Sequence, residues 1–161
     1  MWTPLLADIV PTVDSASELN KRKVRLFVEA VLNEGRLELI DELVAADYVG
    51  RVPRIESGVH GPEGVRGMVA CGRRAHPDLY VKMEDLIAED DRVAIRWRAT
   101  MAPAGRVVGY AGISVIRLLA GKQVDSHTEY TNVTPSAASQ PARDAGGIAL
   151  AARPAPPTAR G

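Results

Sequence analysis

The spacing of the apolar residues changes once along this chain, and that change constrains the fold more than any other feature. Up to about residue 75, apolar side chains recur every three or four residues, which is typical of helices with one buried face. From Leu79 onward they alternate with polar side chains, which is typical of strands with one buried face. Helices followed by an antiparallel meander form an α+β domain. The sequence therefore predicts three N-terminal helices that pack on an antiparallel sheet.

The first predicted helix has the clearest boundaries. Ser15 and Glu18 form a capping box, in which the two side chains satisfy backbone N–H groups at the start of the helix. Gly35 is suited to end the helix, because glycine readily adopts the left-handed conformation. Between these boundaries five apolar residues follow the helical repeat: Val24, Phe27, Val28, Val31 and Leu32.

Two further helices are predicted ahead of the strands. The second is shorter and closes near Asp47-Tyr48; its apolar stripe consists of Leu37, Ile40, Leu43 and Val44. Arg51–Val59 is polar and contains proline and glycine, so it is predicted to be a loop or a short edge strand. The third helix begins at Gly61-Pro62, with proline at its first position, and ends near Ala75.

Four strands are predicted in the second half: Leu79–Ile87, Arg92–Met101, Arg106–Leu119 and Gln123–Val133. Short turns rich in glycine, aspartate or proline join them, as in consecutive hairpins. In the second strand, apolar residues from Val93 to Met101 alternate with a second set that includes Arg96 and Arg98. The two arginines therefore share one face of the sheet.

The last part of the chain has a different composition. Residues 135–161 hold five of the 11 prolines and nine alanines, with no sustained periodicity. Such a segment has too little apolar surface to offset the entropy of ordering. The sequence therefore predicts an N-terminal extension over residues 1–16, one folded domain over residues 17–134 and a disordered tail over residues 135–161.

Composition excludes several classes of protein. Lys+Arg and Asp+Glu both number 20, and zero net charge argues against nucleic-acid binding through phosphate neutralisation. No apolar run approaches the roughly 20 residues that span a bilayer, so no membrane association is expected. The single cysteine, Cys71, favours a cytoplasmic protein. His60, His76 and His127 are scattered and no glycine-rich phosphate loop is present, so neither a metal nor another cofactor is expected.

The last predicted strand carries the most informative polar residues. Alternation places Asp125, His127 and Glu129 on one face. Three ionisable groups are expensive to bury unless they pair or take part in chemistry. A carboxylate beside a histidine can supply the base that removes a proton next to a carbonyl group. The alternative is a solvated outer face of the sheet with no chemical role.

Arg96 and Arg98 also have two interpretations. If they face a cavity, their charges stabilise a developing oxyanion. If they face solvent, they are ordinary surface residues and the apolar residues of the same strand pack inward. The sequence leaves both possibilities open.

Short segments in a fixed order carry a family resemblance. They span about Asn20–Val133 and include Asn33-Glu34-Gly35-Arg36, Ile40-Asp41-Glu42-Leu43, Gly61-Pro62-Glu63-Gly64-Val65, His76-Pro77-Asp78-Leu79 and Gly121-Lys122-Gln123-Val124-Asp125. In this respect the chain resembles the SnoaL-like polyketide cyclases, a branch of the nuclear-transport-factor-two-like superfamily. The resemblance implies a curved sheet and three helices that form a cone with an internal pocket.

The same resemblance implies a function. It implies a cofactor-independent cyclase of secondary metabolism, such as antibiotic biosynthesis, that closes a ring in a hydrophobic, oxygenated, polyketide-type metabolite by general acid–base catalysis. On this hypothesis Glu129 is the base, with His127 and Asp125 as its partners or alternates. Arg96 or Arg98 would stabilise an oxyanion, and two tyrosines would position the substrate: Tyr48 and Tyr110. A homodimer formed through the outer face of the sheet is expected.

Two other functions remain open on the same fold. One is an isomerase or an epoxide-opening hydrolase or cyclase, because Glu129-Tyr130 lies where the limonene-epoxide-hydrolase-like branch has an Asp-Tyr pair. In that branch an arginine and a second aspartate assist the base; Arg96 matches the arginine, but Arg98 stands in place of the aspartate. The other is a dimeric module that binds a small molecule without catalysis.

Overall fold

The computed structural model describes residues 15–133, which form a six-stranded sheet with helices packed against it. The predicted disordered tail and all but the last two residues of the predicted N-terminal extension lie outside the described residues. The helices are α1 (Ala16–Leu26), α2 (Ile40–Leu43) and α3 (Gly61–Ala75). The strands are β1 (Val44–Val52), β2 (Ile55–His60), β3 (Tyr80–Glu89), β4 (Arg92–Met101), β5 (Val108–Leu119) and β6 (Lys122–Val133).

Helix α1 begins and ends as the sequence predicts. The Ser15 hydroxyl accepts a hydrogen bond from the Glu18 N–H. Beyond α1 the helix continues as a wider π-helical segment, Phe27–Asn33, and Gly35 then adopts a φ of 74°. Four of the five predicted stripe residues are buried in the core: Val24, Phe27, Val28 and Val31.

The second helix is shorter than predicted. A 3₁₀ turn, Leu37–Leu39, leads into α2, and Val44 already has extended backbone angles. Asp47 and Tyr48 therefore lie in β1 and not at the end of a helix. The apolar residues of this segment fit a helix as well as a strand, and pairing of β1 with two neighbouring strands decides the outcome.

Strand order corrects two further predictions. The order is β2-β1-β6-β5-β4-β3, and β1 runs parallel to β6, so the sheet is mixed and not purely antiparallel. Helix α3 follows the β1–β2 hairpin, so only two helices precede the strands. The predicted loop or edge strand is indeed the edge strand β2 and its turn. The meander from β3 to β6 follows the predicted order and agrees closely with the predicted bounds.

Cross-strand pairing fixes which residues share a face of the sheet. Residues opposite each other in an antiparallel pair point to the same side. The inner rows, which face the helices, include Leu86–Ile95–Ser114–Thr128 and Met83–Trp97–Gly112–Tyr130. The outer rows include Ile87–Ala94–Val115–His127 and Asp85–Arg96–Ile113–Glu129. The core lies between the inner rows and the helices.

Asn33 attaches the end of the first helix to the free edge of β3. Its side-chain amide donates to the Val81 carbonyl at 2.8 Å and its Oδ1 accepts from the Val81 N–H at 2.9 Å. These two bonds replace those that a neighbouring strand would make, because the Val81 N–H and carbonyl groups would otherwise be unpaired at the edge of the sheet. The helix is thereby held over the inner face of the sheet.

Candidate functional site

A cavity of about 90 Å³ lies between the inner face of the sheet and the helices. Phe27, Val28 and Leu32 of the first helix form one wall, and the wider π-helical turns lie at this point. Met68 of α3 lies at another side. The strands supply the remaining lining residues: Tyr48, Val52, Val81, Ile95, Trp97, Ser114, Ile116, Gln123, Ser126 and Thr128.

Tyr48 and Ser126 form the first polar pair in this cavity. Their hydroxyl oxygens are 2.7 Å apart and both residues are buried. Gly50 makes the pairing possible, because a Cβ at this position would overlap the Tyr48 ring and hydroxyl. Burial raises the pKa of Tyr48 above its ordinary value, although the hydrogen bond to Ser126 acts in the opposite direction. The phenol therefore remains protonated at neutral pH and can donate a hydrogen bond.

Trp97, Ser114 and Thr128 form the second polar group. The Trp97 indole N–H donates to the Ser114 hydroxyl at 3.1 Å, and the Ser114 and Thr128 hydroxyls are 2.8 Å apart. Gly112 leaves space for the indole, because a Cβ there would overlap the ring of Trp97. The indole N–H and the two hydroxyl groups are thus fixed by one another within an otherwise apolar wall.

Gln123 is the fifth polar residue of the lining. It lies near the start of β6, opposite Leu118 of β5, and only 3% of it is exposed. Its amide nitrogen is buried, and no described residue supplies a hydrogen-bond acceptor for it. Gln123 therefore contributes to the lining while its amide nitrogen is enclosed by the protein.

The cavity is lined entirely by uncharged side chains. None of its 14 described lining residues is Asp, Glu, His, Lys or Arg. Tyr48 is the only phenol among these 14 residues, and its raised pKa makes it a poor base at neutral pH. The arrangement can therefore enclose an apolar molecule and hydrogen-bond its oxygens, but it offers no group that accepts a proton readily.

The ionisable residues of the last strand lie on the opposite face from the one that we expected. His127 and Glu129 point outward, with side chains 57% and 74% exposed, and the His127 Nε2 is 3.1 Å from the Glu129 Oε1. Asp125 is paired with Arg51 of β1 at 2.8 Å. Strand β6 does line the cavity, but it does so through Ser126 and Thr128. The proposed roles of Asp125, His127 and Glu129 in catalysis stay a prediction.

A separate groove of about 310 Å³ lies between β6 and the β1–β2 hairpin. His127 and Glu129 line it together with Arg51 and residues of the β1–β2 turn. Thr128 lines both this groove and the internal cavity, so the two spaces share part of one wall.

Arg96 and Arg98 also lie on the outer face. Arg96 binds Glu84 and Asp85, the latter through Nε and Oδ2 at 2.6 Å, and Arg98 donates to Glu84 at 2.9 Å. Both arginines belong to outer rows of the sheet because Trp97, between them, points into the core. The structure therefore supports the surface interpretation of this pair, and neither charge reaches the cavity.

The two predicted substrate-positioning tyrosines have different locations. Tyr48 lines the cavity. Tyr110 lies on the inner face of β5, outside the set of lining residues, and packs edge-on against Tyr130 with the ring centres 5.6 Å apart. Tyr130 in turn packs against Trp97 at 6.1 Å. Tyr110 is thus connected to the cavity wall through one intervening ring.

Sequence reasoning missed four of the five polar lining residues: Ser114, Gln123, Ser126 and Thr128. The sequence does contain a signal for two of them, because small hydroxyl residues alternate with charged residues along the last strand. The apolar face of β4 was identified correctly, and residues paired with it across β5 necessarily share the inner face. The residues that line the cavity are therefore identified by the register between strands and not by alternation within one strand.

The fold and the cavity define an α+β domain that holds a small-molecule-sized space between helices and one face of a curved sheet. The family model for the SnoaL-like domain matches residues 24–127, and the chain belongs to this family. This match confirms the resemblance inferred from the ordered segments of the sequence. No curated protein matches the chain.

Solved structures share the fold. A proposed SnoaL-like polyketide cyclase from Jannaschia sp. CCS1 is 18% identical, with a TM-score of 0.65, and the match covers 73% of this chain and 88% of that one. Wild-type IdmH, a proposed polyketide cyclase from Streptomyces antibioticus, is 24% identical, with a TM-score of 0.61 and coverage of 69% and 91%. AclR, a proposed hydroxylase from Streptomyces galilaeus, is 25% identical, with a TM-score of 0.61 and coverage of 72% and 91%.

The described residues form neither a metal-binding cluster nor a membrane-spanning helix. Within residues 15–133, no group of three or more His, Cys, Asp and Glu side chains is arranged to hold a metal ion. No helix in the same part of the chain is long and apolar enough to cross a membrane.

Proposed function

We propose that this SnoaL-like protein binds a small, uncharged, mainly apolar molecule that carries oxygen, and that the binding site is the internal cavity. The observation that carries this proposal is the uncharged lining with its hydroxyl and amide groups. Ligand sites are typically apolar with a few placed polar groups. A charged ligand would lose its hydration in this cavity without gaining an ion partner, which is strongly unfavourable.

Cavity size limits what can bind. An apolar cavity of about 150 Å³ accommodates benzene, and drug-sized ligands occupy roughly 300–1,000 Å³. The space of about 90 Å³ therefore suits a compact molecule or one end of a longer one. Three lining residues remain partly exposed: Leu32, Val52 and Met68. The rest of a longer ligand would therefore extend out of the cavity beside them. Methionine adapts readily to different shapes, which makes Met68 a suitable residue at an opening.

The structural neighbours include proteins named as proposed polyketide cyclases and a proposed hydroxylase, and a cyclase is the activity that this cavity supports better. An apolar cavity can hold the two reacting ends of one compact molecule in contact, which alone accelerates ring closure. Its hydroxyl donors can stabilise negative charge that develops on an oxygen. Ring closure in this cavity would therefore be a step in which π electrons of the bound molecule form the new bond, so that no proton has to pass to a side chain.

The test is to fill the cavity. Ile116 lines the cavity, whereas Ile113, three residues earlier on the same strand, is exposed on the outer face. Ligands that raise the melting temperature of the wild type are first selected from a library of neutral oxygenated hydrocarbons. The Ile116→Phe variant is expected to lose this stabilisation, and the matched Ile113→Phe variant is expected to keep it. Equal stabilisation of both variants would locate the ligand elsewhere.

A second candidate function is acid–base catalysis in the outer groove, and the 3.1 Å pair of His127 and Glu129 favours it. On this alternative a substrate oxygen or carbon exchanges a proton with the pair at the protein surface. With a substrate found in the screen, Glu129→Gln and His127→Gln would abolish turnover, while Glu56→Gln, at another position of the same groove, would not. Full turnover in both of the first two variants would reject this candidate.

We also propose that a second copy of the chain covers the outer face of the sheet. Ile87, Ile113 and Val115 are exposed there, beside side chains of both charge signs such as Arg96 and Glu129. A face that carries apolar residues and both signs can be complementary to itself about a two-fold axis. Sedimentation velocity should show a wild-type dimer and a Val115→Asp monomer, whereas Leu19→Asp on α1 should stay dimeric. A monomeric wild type would contradict this proposal.

A further inference from the structure

The sheet divides at one place, directly beside the internal cavity. Strand β1 pairs with β6 as far as Arg51, which lies opposite His127. Beyond that pair β1 turns back into β2, since Val52 already pairs with Ile55. Strand β6 continues in its original direction with β5 as its partner. This later part of β6 therefore has no neighbouring strand on its other side among the described residues.

The two residues that directly follow the last pair separate the cavity from the outer groove. Val52 and Thr128 both line the cavity, and both also line the groove between β6 and the β1–β2 hairpin. Neither side chain is large, and Val52 is partly exposed. The wall between the two spaces is thus a single layer of side chains at this point and not a hydrogen-bonded pair of strands.

The two spaces differ in size and chemistry. The cavity has a volume of about 90 Å³ and an uncharged lining, whereas the groove has about 310 Å³ and contains the carboxylates of Glu56 and Glu129. Carboxylates only accept hydrogen bonds, so a group that binds them must donate. The cationic Arg51 of the groove is already paired with Asp125, and His127 contacts Glu129. A neutral group that donates and accepts, such as a hydroxyl, matches this lining.

We propose that the ligand extends through this wall. Its apolar end occupies the cavity, its chain passes between Val52 and Thr128, and a hydroxyl-bearing end lies in the outer groove beside His127 and Glu129. This inference rests on the proposed function, because it names the second half of a molecule whose first half binds in the same cavity. It makes Val52 a specificity-determining residue, since the size of this side chain sets the width of the passage.

Three neutral probes test the two halves of the proposal. One is 1,2-octanediol, which joins an apolar chain to a hydroxyl-bearing end; cyclopentanol is compact enough for the cavity alone, and 1,2-butanediol has the same polar end with a shorter chain. Binding is measured on the full chain by NMR titration. The methyl signals of Ile116 report on the cavity, and the imidazole signals of His127 report on the groove.

The octanediol is expected to shift the Ile116 and His127 signals with the same dissociation constant. Cyclopentanol should shift the Ile116 signals alone. The butanediol should bind at least about tenfold more weakly than the octanediol, because its shorter chain buries less apolar surface.

Two variants test the route. Val52→Trp places a large ring in the wall between the two spaces, so the octanediol should lose its effect on the His127 signals. Val107→Trp is the matched control, because Val107 is exposed and lines neither space. It should bind the octanediol within about twofold of the wild type. A His127 shift that persists in Val52→Trp would show that the diol reaches the groove from solvent, and the inference would be overturned.

The wild type alone separates this inference from the proposed function. If the octanediol shifts the Ile116 signals and leaves those of His127 unchanged, the ligand leaves the cavity elsewhere; the inference is then wrong and the proposed function stands. If none of the three probes shifts the Ile116 signals, the proposed function itself is contradicted. Because these comparisons need no variant, poor folding of Val52→Trp would not obscure the result.

Discussion

The two hydrogen bonds from Asn33 to Val81 allow a quantitative test of how the first helix is held over the sheet. Both bonds are short, at 2.8 and 2.9 Å, and Asn33 is only 5% exposed. The Asn33→Ala variant removes both bonds and leaves the Val81 N–H and carbonyl groups without partners at the edge of β3. The backbone carbonyl of Asn33, which accepts from Arg73 at 3.0 Å, is unaffected.

The expected loss follows from these contacts. Each neutral hydrogen bond contributes about 0.5–1.5 kcal/mol net, and a buried group left unpaired costs about 1–3 kcal/mol. Partial access of water to the sheet edge reduces the second contribution, so we expect a loss of about 2–4 kcal/mol in the free energy of unfolding. For a domain of this size that corresponds to a fall of roughly 10 °C in the melting temperature.

Urea denaturation of the wild type and of two variants measures this loss. Asn20→Ala is the matched control, because Asn20 makes a single exposed bond to the Asp90 carbonyl at 3.1 Å. It should cost less than about 0.5 kcal/mol. Hydrogen exchange supplies a local readout, since the Val81 amide should exchange faster in Asn33→Ala alone. If both variants lose the same stability and the Val81 amide keeps its protection, the two bonds do not hold the helix as we argue.

Three further predictions concern individual residues. Gly67→Ala should raise the free energy of unfolding by about 0.5–1 kcal/mol, since a Cβ at this helical position meets no atom and alanine favours helix; no gain in urea denaturation would contradict this. Gly35→Ala should lower it by at least about 1 kcal/mol in the same assay, because φ is 74° and a Cβ would overlap Arg73; a neutral result would contradict this. Tyr48→Phe should lose about 1 kcal/mol at pH 8. Because burial raises the pKa of Tyr48, the folded protein resists an ionisation that the unfolded chain undergoes from about pH 10, so the wild type loses stability as the pH rises above that value. Its advantage over Tyr48→Phe should therefore shrink between pH 9 and 11, and a constant advantage would show that the phenol is not buried as described.

The sequence predicts regular elements well where a single pattern determines them. The helix that begins after Ser15 and the four strands of the meander match their predicted positions closely because capping, periodicity and turn residues agree there. The segment around Val44 and Tyr48 is different. Its apolar spacing suits either a helix or a strand, and long-range pairing with β6, about 80 residues later in the chain, makes it a strand. Such pairing is invisible to local patterns.

The candidate site was harder to predict for a related reason. Alternation in β6 separates Ser126 and Thr128 from His127 and Glu129, but alternation alone does not say which set faces inward. The charged residues favour a functional interpretation in the sequence because their side chains can act as acids and bases. The register of β6 against β5 and β4 places Thr128 in the row of Ser114 and the buried Ile95, which decides the question. Burial of an uncharged pair is also the cheaper arrangement in free energy.

The hydrogen-bonding capacity of the cavity depends on residues that contribute no polar group to it. Gly112 stands between Trp97 and Tyr130 in one inner row, and the absence of a side chain there leaves the space that the indole occupies. The position of the indole fixes its N–H toward Ser114, and Ser114 in turn fixes Thr128. Gly50 has the corresponding role for Tyr48 and Ser126. Because both pairs are held before any ligand arrives, a ligand need not order them on binding, and an orienting site of this kind can favour one folded conformation of a flexible molecule.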